Sequence, residues 1–64
     1  MSLKEYYGKN VSIIGLREQR YIGRVTDYVF PEDNENGLES IIVDLPNGEI
    51  QEFYQSDITE IKTT

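Results

Sequence analysis

After Gly8 the apolar residues take on the two-residue period of strands, broken at short intervals by turn residues. Asn10 to Leu16 is rich in β-branched residues and predicts a first strand, with Arg17-Glu18-Gln19 as a polar hairpin tip. Arg20 to Phe30 predicts a long second strand with Gly23 inside it. A strand glycine is costly unless the chain bends there or another backbone approaches closely. A bent long strand is how a short sheet curls onto itself. Pro31-Glu32-Asp33-Asn34-Glu35-Asn36-Gly37 is one long polar loop, followed by a third strand over Glu39 to Leu45. Pro46-Asn47-Gly48 has turn chemistry, since Pro presets φ while Asn and Gly tolerate positive φ. Glu49 to Tyr54 is a fourth strand, Gln55-Ser56-Asp57 a tight turn, and Ile58 to Ile61 a short closing strand.

The first eight residues follow a different period. Ser2-Leu3-Lys4-Glu5 has the form of a capping box, with a hydroxyl at the N-cap and a carboxylate three residues on. Leu3, Tyr6 and Tyr7 fall at i, i+3 and i+4, and Gly8 is a natural stop. The expectation is a short N-terminal helical turn that lays two tyrosines on the domain.

Five short strands with turns between them predict an all-β domain, a small barrel or sandwich, with no internal repeat and no linker. The organisation expected is one domain over 1–64: a helical turn over 1–8, a barrel over 9–61 and a frayed tail, Lys62-Thr63-Thr64, over 62–64. The apolar set available to its core is Val11, Ile13, Ile14, Ile22, Val25, Val29, Phe30, Ile41, Val43, Leu45, Ile50, Phe53, Ile58 and Ile61. With 64 residues the chain buries only about 60% of its unfolded surface. Such a core is compact or is completed by a partner.

The net charge of −6 is unevenly spread. Residues 1–24 carry Lys4, Lys9, Arg17, Arg20 and Arg24 against Glu5 and Glu18, whereas residues 25–61 hold ten carboxylates and no Lys or Arg. A solvated acidic face that keeps a small protein soluble is the favoured reading, with a charged partner surface as the alternative. No stretch is apolar enough to span a bilayer and no signal peptide opens the chain, so a cytoplasmic location is expected and no membrane partner.

The chain has no His and no Cys. That removes the usual general base near neutral pH, thiol nucleophiles, Ser-His triads, disulfides and the usual zinc ligands. The five glycines are scattered and form no phosphate-cradling loop. Pairs such as Asp44 and Glu49 flank a turn, where solvation is expected rather than catalysis. No catalytic residue and no cofactor is expected. Glu32, Asn34 and Asn36 before Gly37 echo a calcium loop, but the twelfth position is Val43 where a bidentate Glu belongs. An ordinary turn-rich loop is the reading taken, and no metal is expected.

The order of a helical turn, a strand, a long bent strand with Gly23, a loop, a strand, a tight turn, a strand, a tight turn and a short strand resembles the SH3-like and Sm-like small barrels over residues 3–61. The resemblance implies a five-strand barrel. In Sm proteins the second strand carries a glycine, then an aspartate, then an asparagine that helps hold a uridine. Here Gly23 is followed by Asp27 and Asn34 at other spacings, and Glu49-Ile50-Gln51-Glu52 replaces the later Arg-Gly. The fold is implied and the uridine pocket is not. Tyr21 to Asp27, Gly37 with Ile41-Ile42-Val43, and Ser56-Asp57-Ile58 are also similar to PRC-barrel domains. The chain resembles, too, short uncharacterised proteins of Gram-positive bacteria and their phages, a group that implies no activity.

Two partner classes follow. Five tyrosines, Tyr6, Tyr7, Tyr21, Tyr28 and Tyr54, are a high aromatic load. Tyr suits interfaces because it buries area with little rotamer loss and keeps a polar tip; the competing reading is a core boundary with each hydroxyl in solvent. Small barrels also keep open edges, and edge pairing is how Sm-like proteins assemble. A non-catalytic module binding a protein partner or itself, through a sheet edge or a tyrosine-rich face, is therefore the leading expectation. The alternative is an Sm-like RNA-binding module using Lys9, Arg17, Arg20 and Arg24 on the first hairpin, with Tyr21 and Tyr28 for stacking. A sequence pI near 4.3 repels phosphates and disfavours it. The simpler reading pairs those cations with the downstream carboxylates, within one chain or between copies.

Overall fold

The alternation after Gly8 folds into a single antiparallel sheet of five strands in the computed structural model, which describes residues 2–64. The strands are β1 (Asn10–Gly15), β2 (Arg20–Val29), β3 (Ser40–Asp44), β4 (Ile50–Tyr54) and β5 (Ile58–Thr63). Short 3-10 turns at Leu3–Tyr6, Pro31–Asp33 and Gln55–Asp57 complete the secondary structure. Among the described residues no helix is long and apolar enough to cross a membrane.

The sheet order is β4-β3-β2-β1-β5. β1 to β4 form a meander, and the turn at Gln55–Asp57 then sends β5 back beside β1, with Ile13 opposite Ile61. β4 and β5 are left as the two margins of the sheet, and no ladder joins them among the described residues. The closed ladder expected for a barrel is thus not present; the sheet is curled but open. Two register shifts supply curvature, one between Val25 and Asp27 on β2 and one between Ile14 and Gly15 on β1. An extra residue on one strand bends it and raises its twist.

Gly23 answers to close approach. A Cβ built there would run into the Asp44 carbonyl oxygen and lie 2.7 Å from Val43 Cγ1, so β3 can pack against β2 at this point only because no side chain intervenes.

The core comprises Leu3, Tyr6, Val11, Ile13, Val25, Ile41, Val43, Phe53 and Ile61. Along β1 the strand period holds, with Val11 and Ile13 buried between exposed or half-buried neighbours. Seven of the apolar residues expected inside are there, but Ile22, Phe30 and Ile50 are exposed, and Ile14, Val29, Leu45 and Ile58 are half-buried. Leu3 and Tyr6, outside that expected set, fill the difference from the N-terminal turn. Ser2 caps the turn, its Oγ accepting from the Lys4 N–H at 3.3 Å, but the reciprocal Glu5 bond of the expected capping box does not accompany it among the described residues. The tyrosines divide: Tyr6 is buried, while Tyr7 is 59% exposed rather than laid on the core.

The chain end also differs from expectation. Lys62 and Thr63 belong to β5, and the Thr64 N–H donates to the Asn10 carbonyl at 3.0 Å. Pairing with β1 supplies the hydrogen bonds a frayed tail would lack. The polar loop after Phe30 is folded rather than loose. Asn34 Nδ2 donates to the Leu38 carbonyl at 2.8 Å and to Ser40 Oγ at 3.1 Å, and Ser40 Oγ donates to Glu52 Oε2 at 2.7 Å. Asn36 Oδ1 accepts from the Leu38 N–H. Two of the three oxygen-bearing residues of the calcium-like pattern thus close their own loop. Among the described residues no cluster of His, Cys, Asp or Glu could hold a metal.

Candidate functional site

The bulge between Val25 and Asp27 decides where the aromatic residues point. Simple alternation from the buried Val25 would bring Asp27 inward and turn Tyr28 out. The register shift reverses this, pairing Tyr28 with Ile41 and Asp27 with Ile42. The Tyr28 hydroxyl then donates to Oε1 of Glu39 at 2.8 Å. Glu39 is buried, and the same oxygen accepts from the Leu3 N–H at 3.1 Å and Ser2 Oγ at 3.4 Å. One carboxylate thus fastens the N-terminal turn to the end of β2. Partial burial pushes the Tyr28 hydroxyl pKa above its ordinary 10.0, and the bond to Glu39 with the negative charge of Glu39 and Glu32 adds to the rise.

The fastening opens a cleft of about 270 Å³ between the turn and β2, lined by Lys4, Tyr7, Asp27, Tyr28 and Phe30. Phe30 is 45% exposed. It meets Tyr28 edge-on, with centroids 5.1 Å apart and ring planes at 84°, the arrangement favoured by aromatic quadrupoles. Lys4 Nζ stands 5.2 Å from the Phe30 centroid, within range of a cation–π attraction. Asp27 Oδ1 accepts from the Tyr28 N–H at 2.8 Å, which fixes the carboxylate at the wall of the cleft.

Of the sequence-expected tyrosines, this end of the sheet gathers Tyr7 and Tyr28. Tyr6 faces the core. Tyr21 packs edge-on against Phe53, with centroids 5.0 Å apart, and lines a separate groove of about 350 Å³ beside Arg17, Gln19, Glu52 and Asp57. Tyr54 sits on β4, where the charge of Glu52 first, then partial burial and a hydrogen bond with Glu52, raises its hydroxyl pKa above 10.0. Phe30 and Lys4 complete the cleft and were not among the expected site residues. A Lys four positions before a Gly-terminated turn carries no sequence signal for an aromatic partner at position 30.

The basic residues do not converge either. Arg24 lies opposite Asn10 and Arg20 opposite Ile14, so Lys9 with Arg24 and Arg17 with Arg20 occupy opposite ends of the first hairpin. Among the described residues none of the four has an ion pair; the salt bridge there is Lys62 with Glu60, at 3.3 Å on the surface. The groove that holds Arg17 and Tyr21 also carries Glu52 and Asp57, which oppose a phosphate. No family model, no curated protein and no solved structure matches this chain.

Proposed function

We propose that the protein is a non-catalytic interaction module that binds a protein partner through its aromatic end, on a scaffold of the small-barrel type, SH3-like or Sm-like. The observation that carries the binding reading is the pairing of exposed Tyr7 and Phe30 around one cleft beside Tyr28. Exposed aromatics gathered at a concavity are the composition of interface anchors. The meander order and the bent β2 support the scaffold reading. The lack of His and Cys supports the non-catalytic one. A photo-reactive residue placed at Tyr7 or Phe30 will cross-link a discrete partner in cell extract, whereas the same residue at exposed Ile22 or Ile50 will not. Equal labelling at all four positions would sink the reading.

A second reading is self-association through the sheet margins, favoured by the outer edges of β4 and β5, which pair with no further strand among the described residues. Light scattering across protein concentration tests it: growth in mass with concentration supports edge pairing, and a constant monomer mass removes it.

A further inference from the structure

We propose that the aromatic cleft receives a lysine or arginine side chain from a basic segment of a protein partner, and that Lys4 is the internal occupant this side chain replaces. This rests on the module reading above and names the chemistry of its ligand.

The face of an aromatic ring is electronegative and attracts a cation within about 6 Å of its centroid. Phe30 already holds one: the ammonium of the exposed Lys4 stands at 5.2 Å. The edge-on contact with Tyr28 orients the Phe30 ring. Asp27 adds a fixed carboxylate at the wall, so the site offers a ring face and a negative charge together. Glu32 and Glu39 extend the negative field around Tyr28. The chain as a whole carries −6, which steers a basic partner toward it and repels a second copy bearing the same charge. The occupant is therefore a foreign basic segment rather than this protein's own hairpin.

The test uses the isotope-labelled full chain and three soluble probes: a Gly/Ser peptide with spaced lysines, its glutamine counterpart and its glutamate counterpart. The lysine peptide is expected to move the amide resonances of Tyr7, Asp27, Tyr28 and Phe30, and the other two to leave them in place. Lys4→Ala removes the competitor and is expected to tighten lysine-peptide binding roughly two- to five-fold. Phe30→Leu keeps apolar bulk, removes the ring face and weakens binding by at least the same factor; Asp27→Asn weakens it and lowers its salt dependence. Resonance dispersion confirms that each variant is folded. The proposal is overturned if the lysine peptide moves only the acidic loop, or if Lys4→Ala leaves the affinity unchanged. It is overturned also if dilution alone moves the cleft resonances without peptide, because the occupant is then a second copy. A silent lysine peptide alongside a cleft-specific cross-link would reject this ligand while leaving the module reading intact. Loss of the cross-link itself would reject both.

Discussion

Tyr28 donates its hydroxyl to Glu39 across 2.8 Å, joining the end of β2 to the one buried carboxylate among the described residues. Because Glu39 Oε1 also accepts the Leu3 N–H, this side chain is the clasp between the N-terminal turn and the sheet.

Removing the clasp strands its donors. Glu39→Ala leaves the buried Leu3 N–H without its acceptor, a loss of about 1–3 kcal/mol. The urea midpoint should fall, and hydrogen exchange at the Leu3 amide should accelerate. Glu39→Gln retains an oxygen acceptor and should recover part of the loss. Unchanged exchange at Leu3 in Glu39→Ala would show that the turn is held by packing alone.

Alkaline pH should weaken the fold through two hydroxyls. Tyr28 and Tyr54 both have folded pKa values above the ordinary 10.0, so the folded state keeps protons that the unfolded chain releases. Their contribution is complete below pH 10 and is lost as the pH rises through the folded values. Urea midpoints measured across this range should decline, and Tyr28→Phe and Tyr54→Phe should each flatten the decline. In an ultraviolet titration each substitution should remove amplitude from the highest-pH phase.

Gly23 and Gly48 should fail for different reasons when replaced by Ala. At Gly23 the added methyl collides with the Asp44 carbonyl and Val43, and overpacking of this kind costs about 1–3 kcal/mol. At Gly48 nothing lies within 4 Å, but φ is +88°, and a left-handed residue with a Cβ costs about 1–2 kcal/mol. Val43→Ala should relieve part of the first, because the Asp44 carbonyl still opposes the methyl, and none of the second. A double-mutant cycle reads this directly, with coupling expected for Gly23 and Val43 and none for Gly48 and Val43.

Two leucines should separate cleanly. Leu3 is 1% exposed and Leu16 is 69% exposed. Leu3→Ala should cost about 2–5 kcal/mol. Leu16→Ala, at the hairpin tip, should stay within about 0.5 kcal/mol. Thermal melts of both variants check this, and equal melting temperatures would mean the turn is not part of the core.

The strands were legible because β-branched residues at a two-residue period, punctuated by Pro-Asn-Gly and Gln-Ser-Asp, have few alternative folds. The core was legible where alternation is unbroken, as from Val11 to Ile13, and less so elsewhere. Leu3 and Tyr6 share one face of the N-terminal turn at i and i+3, which the spacing showed, but a four-residue turn is too short to show that this face enters the core or that Tyr7 leaves it. The bulge after Val25 exchanges the faces of the residues beyond it, and nothing in Arg-Val-Thr-Asp-Tyr announces the extra residue. That single shift separates the expected tyrosine face, with Phe30 in the core, from the cleft that pairs Phe30 with Tyr28 and Tyr7. Closure into a barrel was inferred from strand number and spacing, which set how many ladders form but not whether the outermost two meet.

The four residues Leu3, Lys4, Tyr6 and Tyr7 alternate between interior plug and outer contact within one turn of chain. Assembly of the last part of the hydrophobic interior and formation of the aromatic cleft are consequently a single cooperative event. A stress that peels back this segment while sparing the strands would leave a protein that still gives a β spectrum yet has lost the cleft between the turn and β2.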